Sequence, residues 1–189
     1  MTSPKLFAIT APSGGGKTSV IKVLLQRHPE IEFSVSATTR EKRAGETEGK
    51  EYFYLRNEDF ERLIAQGELV EHEYFFHAYY GTLKREVDRA LQAGHSMIFD
   101  VDVKGALSIK KMYGDTAVLI FIKPPSTEIL EQRLRNRKTE SDEKIATRLE
   151  RAAMETAVGE QFEHVVINDD LQSAIEQVDT IITHHLSHS

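Results

Sequence analysis

Apolar residues follow two patterns that divide most of the chain into alternating segments. Short continuous apolar runs, typical of strands buried on both faces of a parallel sheet, lie at residues 5–10, 97–101, 117–122 and, more weakly, 164–167. Apolar residues at helical spacing predict helices after Gly16, before Gly67, before Gly94 and over residues 104–113, 126–137, 141–160 and 171–186. Because strands and helices alternate, the pattern favours an α/β fold, a three-layer sandwich around a parallel sheet.

One stretch breaks this alternation. Residues 33–56 carry β-type alternation around a polar, glycine-containing middle, and a helical pattern that ends at Gly67 follows them. We therefore interpret residues 35–87 as a small α+β subdomain inserted into the core.

The composition sets the broad class of the protein. The chain has 189 residues, about the length of one domain, and its 30 acidic and 24 basic residues give a net charge of −6. No apolar stretch reaches the ~20 residues of a membrane-spanning helix, and the N-terminus is too short and polar for a signal peptide. The absence of cysteine excludes disulfides and thiolate sites and suits the cytoplasm. The acidic balance argues against general affinity for nucleic acid, although a local basic cluster can still bind a small anion.

A glycine-rich segment follows the first predicted strand and opens the first predicted helix. It comprises Ala11, Pro12, Ser13, Gly14, Gly15, Gly16, Lys17 and Thr18. Glycines let consecutive backbone N–H groups turn inward at a helix N-terminus, where they bind phosphate oxygens. In such a segment the lysine reaches the β- and γ-phosphates, and the threonine hydroxyl coordinates Mg²⁺. Ala11 replaces the first glycine of the strict motif, which adds one methyl group where the strand ends.

Asp100 and Asp102 come at the end of a buried predicted strand. Residues two apart on a strand point to the same side, so we expect both carboxylates at the carboxyl edge of the sheet, beside the glycine-rich segment. One carboxylate would bind Mg²⁺ or its water shell, and the other a substrate group or a lysine. The alternative for Asp102 is a structural role as the cap of the following helix.

Basic residues concentrate in one stretch of this acidic chain. Residues 133–151 contain seven basic and four acidic side chains, a net charge of +3. Arg133 and Arg137 share a helix face, and Arg148 lies on the next predicted helix beyond a polar turn. Arginines on a mobile segment can neutralise a phosphoryl group while it is transferred. The alternative is a solvated helix with surface ion pairs.

The inserted region carries a second candidate anion site. Arg40 and Arg43, together with nearby tyrosine hydroxyls, form a suitable receptor for a phosphate monoester. Glu71 can accept parallel N–H bonds from N1 and the exocyclic amine of guanine, whereas adenine offers a bare acceptor at N1. The candidate side chains of this region are Ser36, Arg40, Arg43, Tyr52, Glu71, Tyr80 and Thr82.

Together these segments resemble guanylate kinase over almost the whole chain. The resemblance rests on the glycine-rich segment and on residues 34–46, 49–53, 79–82, 100–102 and 166–170. Within them, Thr38-Thr39-Arg40-Glu41-Lys42-Arg43-Ala44-Gly45-Glu46 matches a block specific to this family among phosphate-loop kinases. The resemblance implies a P-loop kinase fold and Mg²⁺-dependent transfer of the γ-phosphoryl group of ATP to GMP, giving ADP and GDP. It does not distinguish GMP from dGMP, and it implies no protein partner.

The resemblance also implies roles for individual residues. At the ATP site these are the glycine-rich segment, Arg133 and Arg137, with Asn168 and Asp169 beside adenine and with Thr18 and Asp100 near Mg²⁺. At the GMP site they are Arg40, Arg43, Tyr52 and Tyr80 for the phosphate and Ser36, Glu71 and Thr82 for guanine, with Asp102 near the base or Lys17. The implied catalytic residues are Lys17, Arg43, Arg137 and Arg148. The nucleotide-binding core would span residues 1–34, 88–128 and 150–189, the GMP-binding subdomain 35–87 and a helical lid 129–149.

Some positions depart from the usual pattern of the family. They are Lys104, Lys138 and His77-Ala78, and they affect loop shape and lid flexibility without removing a required group. The C-terminal histidines at positions 184, 185 and 188 are interpreted as the end of a helix rather than as a metal site.

Two other functions remain open. A guanylate-kinase-like domain can serve as a binding module without catalysis, but the intact Gly16-Lys17-Thr18 argues against this. A kinase for another small metabolite is the second alternative, and the combination of Arg40, Arg43 and Glu71 argues against it.

Overall fold

The computed structural model describes residues 3–75, 77–136 and 142–187. Its strands are β1 (Leu6–Thr10), β2 (Glu32–Phe33), β3 (Ala37–Thr38), β4 (Phe53–Tyr54), β5 (Leu69–Phe75), β6 (Ala78–Leu83), β7 (Met97–Asp100), β8 (Ala117–Lys123) and β9 (His164–Ile167). Its helices are α1 (Lys17–Arg27), α2 (Asn57–Gln66), α3 (Lys84–Gln92), α4 (Val103–Tyr113), α5 (Thr127–Asn136), α6 (Asp142–Gly159) and α7 (Leu171–Ser187).

A parallel five-stranded sheet, in the order β2-β7-β1-β8-β9, forms the centre of the described chain. Because successive residues of a strand point to opposite faces, Leu6 and Ala8 of β1 join one hydrophobic cluster, and Phe7 and Ile9 join another. Helices α3 and α4 contribute to the first cluster, and α1 and α7 contribute to the second. The sheet is therefore covered on both faces, which confirms the three-layer α/β fold predicted from the apolar pattern.

The parallel order brings the carboxyl ends of β1 and β7 together, with Ile9 opposite Asp100. The glycine-rich segment leaves the sheet directly after β1, so it lies beside Asp100. Asp102 is not part of the strand, because β7 ends at Asp100. It is the N-cap of α4, and its carboxylate accepts a hydrogen bond from the Gly105 backbone N–H at 2.8 Å. The structure therefore shows the second of the two roles considered for Asp102, that of a helix cap.

A second sheet, in the order β4-β3-β6-β5, lies within residues 37–83. Strands β5 and β6 form an antiparallel hairpin, and β3 pairs with β6 on one side and β4 on the other. Phe60 of α2 is fully buried against this sheet, where it packs with Ala37, Leu69 and Leu83. The inserted region thus has a sheet, a helix and a hydrophobic cluster of its own.

Helices α5 and α6 pack against each other through Leu130, Leu134, Ile145 and Ala152. Helix α7 continues to Ser187, so the histidines at positions 184 and 185 are helical. In the three described ranges, no helix combines the length and the apolar character that crossing a membrane requires.

Candidate active site

The glycine-rich segment forms a tight turn between β1 and α1. Gly14 and Gly16 have positive φ angles of 93° and 92°, which side chains other than glycine rarely adopt. The Gly15 N–H donates to the Pro12 carbonyl oxygen at 2.8 Å. A Cβ atom on Gly15 would lie 2.9 Å from that oxygen, closer than packing allows. Each glycine is therefore required, two for backbone conformation and one for close packing.

Lys17 begins α1 and reaches the carboxyl edge of the central sheet. Its Nζ lies 2.7 Å from Asp100 Oδ1 and donates to the Val101 carbonyl oxygen at 2.7 Å. The carboxylate that pairs with Lys17 is therefore that of Asp100 and not that of Asp102. Thr18 follows on α1 and is exposed. Its hydroxyl and the Asp100 carboxylate are oxygen donors of the kind that Mg²⁺ takes, so this end of the sheet fits that ion.

A cavity of about 700 Å³ opens at the glycine-rich segment. It is lined by residues 11–19, Phe75, Asp102, Lys144, Thr147, Arg148, Arg151 and Glu155. Lys144, Arg148 and Arg151, which line the cavity from α6, are cationic. The N-terminus of α1 points at the glycine-rich segment. Cationic side chains and a helix N-terminus both favour a bound anion, so this cavity suits a polyphosphate.

Asn168, directly after β9, fastens the glycine-rich segment. Its side-chain Nδ2 donates to the Gly15 carbonyl oxygen at 2.7 Å, and the residue is 4% exposed. The backbone carbonyl of Asn168 in turn accepts from Arg133 Nη2 at 2.9 Å. Asn168 therefore holds the glycine-rich segment in place, and Arg133 holds Asn168. Asp169 is exposed, and its carboxylate has no hydrogen-bond partner within the described ranges.

Arg148 contacts the segment from α6, where its Nη1 donates to Ser13 Oγ at 2.8 Å. Two of the arginines singled out from the sequence, Arg133 and Arg148, are thus linked to the segment, one through Asn168 and one directly. Arg137 and Lys138 lie outside the described residues.

Arg151 is a site residue that the sequence analysis counted only as part of the basic stretch. Its guanidinium donates to Glu155 at 2.8 Å and to Asp102 at 3.3 Å. It also lies 3.6 Å from Glu73 Oε1 and over the ring of Phe75, 5.7 Å from the centroid. Arg151 therefore joins α6 to β5 and to the start of α4. The i, i+4 spacing of Arg151 and Glu155 is the signal in the sequence that points to this pair.

Arg40 is held by Glu46 through two hydrogen bonds, of 2.8 Å and 3.1 Å. Glu46 also accepts from the Tyr54 hydroxyl at 2.8 Å and from the Arg43 backbone N–H at 2.7 Å. The hydrogen bonds from Arg40 are the main cause that lowers the pKa of Glu46 to about 2. The Arg40 guanidinium lies over the Tyr52 ring, 5.3 Å from its centroid. Glu46 and Tyr54, which the sequence analysis did not select, thus orient Arg40.

The next candidates of the inserted region are Tyr52, Tyr80, Arg43 and Ser36. The rings of Tyr52 and Tyr80 meet edge to face at 5.9 Å. Burial raises the pKa of Tyr52, and the neighbouring Tyr80 and Asp100 add to the shift. The Arg43 side chain is exposed, and Ser36 is partly buried; in the described part of the chain neither side chain has a hydrogen-bond partner.

Glu71 and Thr82 face each other across the β5–β6 hairpin. Thr82 Oγ1 donates to Glu71 Oε1 at 2.7 Å. Burial raises the pKa of Glu71, and the carboxylates of Asp102 and Glu73 add to the increase. Glu71, Asp102 and Gly105 line a second cavity of about 400 Å³. Asp102 also lines the cavity at the glycine-rich segment, so the two cavities share a wall.

Comparisons with known proteins show the family to which the chain belongs. The family model described as guanylate kinase matches residues 3–185. Guanylate kinase of Chlorobaculum tepidum is 48% identical over 182 residues, which cover 96% of this chain and 93% of the relative. Guanylate kinase of Porphyromonas gingivalis is 48% identical over 176 residues, or 92% and 94% of the two chains. The crystal structure of guanylate kinase from Anaplasma phagocytophilum aligns with a TM-score of 0.77 and 30% identity, covering 100% of this chain and 89% of that one. The chain therefore belongs to the guanylate kinase family, as the resemblance in its sequence implied.

Proposed function

We propose that this chain transfers the γ-phosphoryl group of ATP to GMP, giving ADP and GDP. The observation that carries the proposal is the wall shared by two cavities, since Asp102 lines both the one at the glycine-rich segment and the one that contains Glu71. The first cavity has the features of a polyphosphate site, and the second offers a carboxylate to a base. Membership of the guanylate kinase family supports GMP as the acceptor.

ATP would bind with its phosphates on the backbone N–H groups of the glycine-rich segment and at the N-terminus of α1. Lys17 would turn from Asp100 and the Val101 carbonyl towards the β- and γ-phosphate oxygens. Asn168 would keep the segment in the conformation that presents its N–H groups, because it already holds the Gly15 carbonyl. Asp169 would lie beside the adenine.

Mg²⁺ would be held by the Thr18 hydroxyl and the Asp100 carboxylate. When bound, the ion neutralises negative charge on the β- and γ-phosphates. Because Asp100 and Lys17 are paired at 2.7 Å, nucleotide binding would separate them. The lysine would then bind phosphate, and the carboxylate would become available as a ligand.

GMP would bind with its phosphate on Arg40, Arg43, Tyr52 and Tyr80. Glu46 supports this role because it fixes the Arg40 guanidinium in one orientation before any ligand is present. Guanine would donate its N1–H and its exocyclic amine to Glu71, with Ser36, Thr82 and Asp102 nearby. The raised pKa of Glu71 follows from its burial, and burial is also what makes an unpaired carboxylate costly when the wrong base binds.

In the transfer, an oxygen of the GMP phosphate attacks the γ-phosphorus and forms a new P–O bond. The bond from that phosphorus to the β–γ bridging oxygen breaks, and ADP leaves with the electron pair. Lys17, Arg43, Arg137 and Arg148 would neutralise charge on the transferred group. A covalent intermediate on a side chain is not required, because the GMP phosphate oxygen attacks directly. Little deprotonation is needed, because the acceptor phosphate is already largely ionised near neutral pH.

Closure of the site would move two parts against the core, which comprises residues 1–34, 88–128 and 150–189. The GMP-binding subdomain, residues 35–87, would bring its bound nucleotide towards the glycine-rich segment, and the lid, residues 129–149, would bring its arginines. The bridge from Arg151 to Asp102 and Glu73 supports such a closure, since it links α6 to the hairpin that carries Glu71.

A nucleotide panel tests the proposal. The purified chain is incubated with ATP, Mg²⁺ and GMP, dGMP, AMP or UMP, and the diphosphates are separated by anion-exchange chromatography. We expect GMP to be converted at least about 100-fold faster than AMP or UMP, because only guanine pairs with Glu71. The Lys17→Ala variant, prepared in parallel, controls for contaminating kinases. Absence of GDP would refute the proposal and favour a binding module, and equal turnover of AMP or UMP would favour another metabolite kinase.

A further inference from the structure

Two histidines and a glutamate converge where the C-terminal helix crosses the edge of the central sheet. Glu163 precedes β9, His164 begins it and His185 lies near the end of α7. The Nε2 atoms of the histidines are 3.0 Å apart, and Glu163 Oε1 is 3.7 Å from His164 Nε2 and 3.9 Å from His185 Nε2. In the part of the chain that the structure describes, this is the one group of metal-ligating side chains whose donor atoms all lie within 4.8 Å of one another.

We propose that Glu163, His164 and His185 bind a divalent transition-metal ion of the zinc type. An ion bound tetrahedrally at about 2.0–2.1 Å from each donor holds the donor atoms about 3.3–3.4 Å apart. The two nitrogens, at 3.0 Å, are slightly closer than this, and the carboxylate oxygen is slightly farther away. Shifts of about 0.5 Å or less bring all three donors to the tetrahedral distances.

The donor set selects the class of ion. Imidazole nitrogens suit zinc, cobalt, nickel and copper, whereas Mg²⁺ and Ca²⁺ prefer sites built from oxygen atoms alone. The proposed ion is therefore chemically distinct from the Mg²⁺ of phosphoryl transfer. The side chains are partly exposed, His164 at 26%, His185 at 19% and Glu163 at 44%, so water can supply a fourth ligand.

Neighbouring groups orient the three donors. Lys110 Nζ lies 3.8 Å from Glu163 Oε2, which leaves Oε1 directed towards the imidazoles. His185 packs edge to face against the buried Phe7, with ring centroids 6.4 Å apart. Such outer contacts commonly fix metal ligands in place.

A metal ion bound by these three residues would cross-link α7 to the central sheet. Among the described strands β9 pairs only with β8, so its other edge has no strand partner. His164 and His185 are 21 positions apart, and a shared ion would connect the first residue of this edge strand to the end of the last helix. The other end of β9 leads to Asn168, so the proposed ion lies one strand length from the glycine-rich segment. We expect it to stabilise the fold without taking part in phosphoryl transfer.

Spectroscopic titration with Co²⁺ tests the proposal on the full chain, without an affinity tag and without nucleotide. The chain is stripped with a chelator, titrated with CoCl₂ and then with ZnCl₂, and its unfolding temperature is measured with and without Zn²⁺. We expect one equivalent of Co²⁺ to give visible absorption more intense than that of the hydrated ion, to be displaced by Zn²⁺, and Zn²⁺ to raise the unfolding temperature.

Matched variants locate the ion. His164→Gln and His185→Gln are each expected to weaken Co²⁺ binding at least about tenfold and to remove the stabilisation by Zn²⁺. Glu163→Gln weakens binding while leaving the packing of the imidazoles intact, so it serves if a histidine variant fails to fold by circular dichroism. His184→Gln, next to the site on the same helix, should retain binding.

The absence of stoichiometric Co²⁺ binding by the wild-type chain would overturn the proposal and leave a hydrogen bond between two neutral imidazoles. Wild-type affinity in the His164, His185 and Glu163 variants, or an equal loss in His184→Gln, would overturn it as well. GDP formation in the presence of Mg²⁺ alone is measured for every variant. It reports on the proposed function separately.

Discussion

Replacing Asn168 with alanine is expected to weaken the binding of ATP and to leave the binding of GMP unchanged. Asn168 is the only described side chain that donates to the Gly15 carbonyl, and the bond of 2.7 Å is buried. Alanine removes the donor and leaves that carbonyl oxygen without its partner. The glycine-rich segment then loses the contact that holds it in the conformation suited to phosphates.

The magnitude follows from the cost of a buried acceptor without a donor, about 1–3 kcal/mol. Since a factor of ten corresponds to about 1.4 kcal/mol, the full cost would raise the KM for ATP about 5- to 150-fold. Any part of the cost that falls on the fold instead lowers the free energy of unfolding. The two losses should therefore add up to about 1–3 kcal/mol.

The assay varies ATP at saturating GMP and then GMP at saturating ATP, with continuous detection of the diphosphate products. Urea unfolding of the same samples gives the change in folding free energy. Gln172→Ala serves as the control, because among the described residues Gln172 bonds only to the exposed Glu176 on the surface of α7. If Asn168→Ala changed neither the KM for ATP nor the stability, or raised both KM values equally, the reasoning would be refuted.

Three further outcomes are expected. Lys17→Ala should lower kcat about 10²- to 10³-fold with little change in stability, as measured by initial rates and thermal unfolding, and an unchanged kcat would remove Lys17 from the mechanism. Glu71→Gln should lower kcat/KM for GMP about 10- to 100-fold. Because burial raises the pKa of Glu71, this carboxylate takes up a proton at higher pH than an ordinary carboxylate does. The wild-type KM for GMP should therefore begin to rise at that higher pH when the solution is acidified. This rise should be absent in Glu71→Gln, and the comparison cancels the titration of GMP itself. Gly159→Ala should destabilise the fold by about 1–3 kcal/mol, because its Cβ would collide with the buried Phe121 ring; an unchanged melting temperature would contradict this.

The central sheet could be predicted from the sequence because burial on both faces leaves a continuous apolar signal. All five residues of β1 are buried, as are the first six residues of β8. The pattern in the sequence and the strand in the structure therefore coincide. The short strands β3 and β4 have only two residues each, too few for a periodic signal, and they depend on pairing with one another and with β6.

The parts of the candidate site that lie in one short segment of the chain could be predicted from the sequence. The parts that depend on contacts between distant segments could not. The glycine-rich segment carries its own signal, because backbone conformation demands glycine at Gly14 and Gly16. The bond from Asn168 to Gly15 spans 153 positions, and nothing in either segment alone indicates it. The same holds for Arg151, whose partner Asp102 lies 49 positions away.

Three cations of the site have carboxylate partners, and this bears on how an acidic chain binds phosphates. Lys17 is paired with Asp100, Arg40 with Glu46, and Arg151 with Asp102. A phosphate that binds such a cation must compete with the carboxylate, so the net gain is the difference between two charge-assisted interactions. The carboxylate orients the cation beforehand, which lowers the entropy lost on binding. Competition with the carboxylates therefore lowers the affinity of the site for an isolated anion. A ligand that contacts several of these cations at once still binds, because its contacts add up. A nucleotide with a phosphate chain and a base of the right shape is such a ligand.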